Sequence, residues 1–316
     1  MPSLSMIGTW LIDPRAGRMV QSGLAQRMRA DNIGEDVVAR VWTAANRDVA
    51  KMPKAVAILP LTGIMEPRAS DYTYYYGGTS TEAFGAMFDK VIGDPSIKAV
   101  VLDVFSPGGM VYGTPELARK IHNARGSKPI VAIANPMAAS AALWVSTAAD
   151  RVYVTPSGDM GSHGAYSMHV DESKMLEDMG VKVTYTYAGA HKVEGNPYEP
   201  ASESFLQNEQ SDINDIMDAF TADLAKHRGK TAGYVRENFG QGRLLSAKKA
   251  VEAGMADGVA TFEQVVSRLM SGHIKTDKAA ACDDWESPLR DDEPEQPGRR
   301  FGNVGDLKRK LAVARR

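Results

Sequence analysis

Cysteine is nearly absent from this chain: Cys282 is the single one in 316 residues. One thiol rules out an intrachain disulfide framework and a thiolate metal cluster, and its place in a polar tail argues against a cysteine nucleophile. A charge excess is missing as well. With 37 Lys+Arg against 39 Asp+Glu the formal charge is −2, whereas proteins that neutralise phosphates carry a basic surplus; no nucleic-acid partner is expected. A secretory leader is not evident, because the first residues have a short apolar run and no basic start. One stretch, 129–149, carries no charge over 21 residues, close to the roughly 20 that a bilayer span needs. It is mostly alanine, is interrupted by Asn135, Pro136, Ser140, Ser146 and Thr147, and reads as a buried strand, turn and helix. No membrane span is expected, and the composition fits a soluble protein of a reducing, cytoplasmic compartment.

What is present is apolar residues at 43% and 29 glycines, enough to bury a core of one large domain or two ordinary ones. The pattern divides the chain into three parts. Residues 1–53 form an N-terminal extension with a helix expected over 35–50, its stripe made by Val37, Val38, Val41 and Trp42. From 54 to 271 short apolar strands alternate with helices: strand pieces over 55–65 around Pro60, a helix over 81–92, a strand over 99–104, a helix over 114–124, a strand over 129–134, a helix over 139–148 and a strand over 151–154. A short helix then ends at Met179-Gly180, a strand follows over 181–187 (VKVTYTY), and a polar amphipathic helix runs over 203–226. This alternation predicts an α/β domain with helices on a largely parallel sheet. Residues 272–316 are rich in charge and proline and poor in large apolar side chains, a composition expected to be disordered; the basic end, VGDLKRKLAVARR, has the pattern of a short helix for a partner.

Two segments carry candidate chemistry. SPGG, Ser106 to Gly109, follows the strand AVVLDVF; paired glycines permit a sharp turn and bring backbone amides close to a ligand, as an oxyanion hole requires. NPMAASAALW places Ser140 among small residues at the start of the next helix, where the amide of Ala141 faces the same region. A serine nucleophile needs a base. The candidates are His163 in GSHGAY, and His191 and Lys192 in GAHKVEGNP, about 50 residues beyond Ser140. A lysine serves only if a dry environment lowers its pKa well below the ordinary value of about 10.4. Residue patterning leaves that choice open.

SPGG after a buried strand, then AAS, GDMGSHG, AGAHKVEGNP and GMADGV, in that order, resemble the S49 peptidases, the signal-peptide-peptidase A family. The resemblance implies a ClpP/crotonase-like fold of short strands and helices in repeated ββα units. It implies a serine peptidase with a Ser-Lys dyad: Ser140 as nucleophile, Lys192 as general base, and Ser162 orienting the lysine. Gly109 and Ala141 become the oxyanion amides, with Gly108 shaping the turn; no cofactor or metal is expected. The residues after the nucleophile, Ala141-Ala142 and Leu143, depart from the family's usual Gly-Gly-aromatic, so pocket specificity does not transfer.

Within that family the compact core and charged tail resemble the phage branch that matures capsids. The expected substrates are extended segments of polypeptides such as scaffold, portal or coat proteins, cut by a homo-oligomer in the host cytoplasm or inside a prohead. A bacterial signal-peptide-degrading peptidase is the alternative. A crotonase-type acyl-CoA enzyme is a more distant one, since it leaves the Ser140/Lys192 pair without a task.

Overall fold

The computed structural model describes residues 10–12, 50–51, 56–71, 73 and 77–274. Of the helix expected over 35–50, residues 35–49 lie outside them, as do Cys282 and the tail beyond 274, while Ala50 is described and lies in a strand instead. In chain order the elements are β1 (Trp10–Ile12), β2 (Ala50–Lys51), β3 (Val56–Glu66), β4 (Gly78–Ser80), α1 (Thr81–Gly93), β5 (Ala99–Met110), α2 (Thr114–Asn123), β6 (Ile130–Ala139), α3 (Ala141–Thr147), β7 (Arg151–Val154) and β8 (Asp159–Gly161). They continue as α4 (Ser173–Asp178), α5 (Glu203–Arg228), α6 (Ala232–Asn238), β9 (Leu244–Ser246), α7 (Ala247–Glu252), β10 (Gly258–Val259) and α8 (Phe262–Met270).

The spine of the sheet runs β10-β7-β6-β5-β3-β2. From β10 to β3 every neighbouring pair is parallel, and β2 closes the edge antiparallel. This is the mixed α/β, ClpP-like class that the alternating pattern and the motif resemblance call for. Central parallel strands buried on both faces read as continuous apolar runs. In β5, Val100, Leu102 and Val104 face one core while Ala99 and Val101 face the other; in β6, Ile130, Ala132 and Ala134 oppose Val131 and Ile133. The first core is covered by α1, α2, α3 and α5 through Phe88, Ile121, Trp144 and Phe220; the second by Val265, Val266 and Leu269 of α8.

Three expectations change. Pro60 does not divide 55–65: β3 is one strand that pairs with β5 on both sides of it, and its irregularity falls between Thr62 and Ile64 instead. SPGG is no plain turn after a strand, because β5 continues through it to Met110 with a register shift. Residues 181–187 form no strand and join no ladder among the described residues, and Val181, Val183, Tyr185 and Tyr187 stand exposed. Their alternation has the strand period, yet among the described residues no strand pairs with it. Among the described residues no helix is long and apolar enough to cross a membrane: the uncharged stretch is β6, a turn and the seven-residue α3.

GMADGV has a structural task. Asp257 accepts the Val152 amide at 2.7 Å and accepts from the two terminal guanidinium nitrogens of Arg228, at 3.1 and 2.7 Å. One carboxylate thereby fixes the start of β7 and the end of α5, the planar fork of arginine supplying two parallel bonds.

Candidate active site

The site grows from the ends of β5 and β6. In β5, Ser106 Oγ donates to the Gly63 carbonyl at 2.6 Å and accepts the Gly108 amide at 3.1 Å. This locks the bend in which Gly108 takes φ 103°, a region that side chains avoid. Gly109 is required for a different reason. A Cβ there would sit 2.0 Å from the Met65 carbonyl oxygen, because β3 runs directly alongside with Met65 opposite Gly109. Only a bare backbone passes so close.

β6 carries the chain to Ala139, where its ladder with β8 ends at Gly161. Ser140 then turns into α3 with φ 55° and ψ −117°. No L-residue favours that conformation, and holding it costs on the order of 1–3 kcal/mol. The surroundings impose it. On one side the Ser140 amide donates to Gly161 O at 2.8 Å; on the other, α3 is anchored in the core. Trp144 stacks on Phe220 at 4.4 Å and donates Nε1 to Asp223 at 2.9 Å. Arg125 closes the far end of α3 with bonds to the carbonyls of Thr147 and Ala148 at 2.7 and 2.8 Å. Ser140 Oγ lies 3.5 Å from the Gly164 carbonyl, and the residue is 0% exposed. Ala141 opens α3, where helix geometry leaves the first amides without intrahelical acceptors.

The GSHG loop wraps this turn. Ser162 is buried, has φ 56°, and donates its amide to Arg243 O at 2.8 Å. His163 is buried too. Thr221 Oγ1 donates to Met217 O at 2.7 Å, so it accepts from His163 Nε2–H at 3.2 Å. That assignment leaves Nδ1 as a buried acceptor with no hydrogen-bond partner among the described residues. Burial, reinforced by Arg236, lowers the His163 pKa to about 4. The ring is therefore neutral near pH 7 and is tied to α5.

Ser140, Ala141 and Ser162 thus come together, with SPGG on the adjoining strand. Lys192 does not join them. It sits on the turn after Gly189, its amide donating to Gly189 O at 3.1 Å, with the residue exposed. Among the described residues its ammonium makes no hydrogen bond or ion pair. His191 is exposed and pairs with Glu194 at 2.9 Å.

Two neighbours escape sequence reasoning. Glu66, one residue beyond the Met65 that faces Gly109, is buried; desolvation raises its pKa, and Ser70 donates to it at 2.5 Å. β1 pairs antiparallel with Gly108, Gly109 and Met110; a three-residue run has too short a period to announce a strand. No group of three or more potential metal ligands occurs among the described residues.

Residues 122–275 match the model of peptidase family S49. The chain is 28% identical to capsid assembly protease C of Escherichia phage lambda over 77% of its length and 56% of the relative's. It is 30% identical to head-tail preconnector protein GP5 of Enterobacteria phage P21 over 69% of its length and 43% of the relative's. A putative signal peptide peptidase SppA of Enterococcus faecium shares 26% identity over 71% of the chain and 65% of its own length. The chain spans about half the length of the two phage relatives.

Proposed function

From the match of residues 122–275 to peptidase family S49, and from the phage and bacterial relatives, we propose that the chain is a serine endopeptidase of that family that cuts extended or flexible polypeptide segments. The observation that carries the reading is Ser140, held in a strained turn between a buried strand and helix beside the SPGG bend. Strain of this kind persists where the surrounding structure over-determines the backbone, and it clusters at active sites.

Ser140 Oγ attacks the peptide carbonyl while neutral Lys192 takes its proton. The amides of Gly109 and Ala141 hold the oxyanion, and the lysine ammonium then protonates the leaving amine. Water, deprotonated by the same lysine, releases the acyl group and restores Ser140. Ser162 orients the amine. This assignment needs the exposed turn carrying Lys192 to close on Ser140 in the substrate-bound or assembled enzyme, bringing the amine within reach of Ser140 Oγ and excluding water. His163 and His191 are the competing candidates, but the first is buried and bonded to Thr221 and the second is turned to Glu194.

The phage relatives favour maturation of a capsid, with scaffold, portal or coat proteins as substrates in the host cytoplasm or prohead; the SppA relative supports the alternative of signal-peptide degradation. The catalytic domain spans 54–271, between an extension at 1–53 and a tail at 272–316. A homo-oligomer accounts for the exposed, unpaired strand-like segment 181–187.

Treatment with a fluorophosphonate followed by peptide mass spectrometry tests the nucleophile: an adduct on Ser140 is expected. Ser140→Ala is expected to lose at least about 10³-fold in kcat/KM, and Lys192→Ala a comparable amount. Full rates in either variant refute the dyad. Loss of activity in His163→Gln with retention in Lys192→Ala assigns the base to histidine.

A further inference from the structure

A strand offers two edges for backbone pairing. At Gly108 and Gly109, β5 gives one edge to β3, with Ile64 opposite Gly108 and Met65 opposite Gly109. Its other edge is held by β6 as far as Ser106, opposite Ala138. Two residues later β6 leaves the sheet at Ser140 to become α3. From Gly108 onward that second edge is therefore free for another strand, directly beyond the nucleophile, and it is not empty. β1 lies on it antiparallel, Ile12 opposite Gly108, Leu11 opposite Gly109 and Trp10 opposite Met110.

This is the edge on which a peptide must lie for its carbonyl to sit between Ser140 and the Gly109 amide, and one edge accepts one strand at a time. Ser140 is also 0% exposed, so no substrate reaches it until some element moves. We propose that residues 10–12 are a tethered pseudosubstrate, occupying the peptide-binding edge of β5 and leaving it before a substrate is cut. The inference rests on the peptidase reading above. Three residues form a short ladder, so the block is reversible. With a tether's effective concentration in the millimolar range, a segment that binds in trans at about 0.1 mM raises the apparent KM on the order of tenfold.

The test uses the full chain carrying Leu11→Pro and Ile12→Pro together. Successive amides of a strand point to opposite sides, so the pair removes whichever N–H faces β5. Hydrogen exchange at Gly109 and Met110 reports whether the edge has been vacated. We expect faster exchange there, fluorophosphonate labelling of Ser140 accelerated several-fold, and KM for fluorescein-labelled casein lowered with kcat unchanged. A synthetic peptide of residues 8–14 is expected to inhibit the variant competitively. Unchanged labelling and KM in a variant whose edge exchanges faster overturns the proposal, as does a joint fall in kcat and melting temperature, which makes β1 an ordinary part of the sheet. If exchange is not faster, β1 does not hold the edge, and the proposal fails. Absence of both labelling and cleavage in the unmodified protein and the variant overturns the peptidase reading, and this one with it.

Discussion

His163 makes the stability of this protein depend on pH in a way that a single substitution isolates. Its pKa falls from the ordinary 6.5 to about 4, chiefly because burial penalises the imidazolium. Between those values the unfolded chain holds a proton at residue 163 that the folded chain refuses. Stability is therefore full above pH 6.5 and declines as the pH falls through the window, the loss being complete below the folded-state pKa. At about pH 5 the linkage relation gives roughly 2 kcal/mol lost relative to pH 7 from this residue. The side chain is 1% exposed, so solvent screening does not reduce the figure appreciably. His227 adds to the same trend: burial, the stacked His122 and Arg125 lower its pKa to about 3. Asp150 and Glu66 work in the opposite sense, because desolvation raises their pKa values and the folded state takes up their protons first. His163→Gln separates these contributions. The glutamine amide reaches the Nε2 position and still donates to Thr221, but it does not titrate. The assay is urea unfolding followed by the fluorescence of buried Trp144, at about pH 7 and pH 5, with free energies from linear extrapolation. The variant is expected to lose about 2 kcal/mol less on acidification than the unmodified chain. An equal loss in both proteins refutes the claim that His163 is buried in its neutral form.

Two further substitutions probe the architecture. Gly109→Ala drives a Cβ to within 2.0 Å of the Met65 carbonyl oxygen and 2.5 Å of its nitrogen. Separating β3 from β5 is expected to cost about 1–3 kcal/mol and, by displacing an oxyanion amide, about 10²-fold in kcat/KM; thermal melts and peptide hydrolysis measure both, and an unaffected variant contradicts the site. Asp257→Asn leaves the Arg228 guanidinium, 9% exposed in its side chain, without its carboxylate. A loss of about 3 kcal/mol is expected in denaturant titration, with a change under about 0.5 kcal/mol showing that the pair is screened.

The sequence carried the fold class, because strands buried on both faces must be apolar throughout and the helices between them follow a different period. The place of Ser140 between an uncharged strand and a helix was legible as well, whereas its reading as a nucleophile came from the ordered motifs and the family they resemble, not from the alanines around it. Other features arise only when distant segments meet. The requirement for glycine at 109 comes from Met65 on another strand, the neutrality of His163 from the packing of α5, and the role of Asp257 from Arg228 and Val152. The strain at Ser140 belongs to none of its neighbours in sequence; it is what remains when a ladder fixes β6 and a core fixes α3. Residues 181–187 show the converse. Their period was legible, but a strand is completed by hydrogen bonds to a partner, and the partner is not specified by the strand's own residues. Local pattern determines which face of an element is buried, whereas tertiary structure decides what each buried or exposed edge meets.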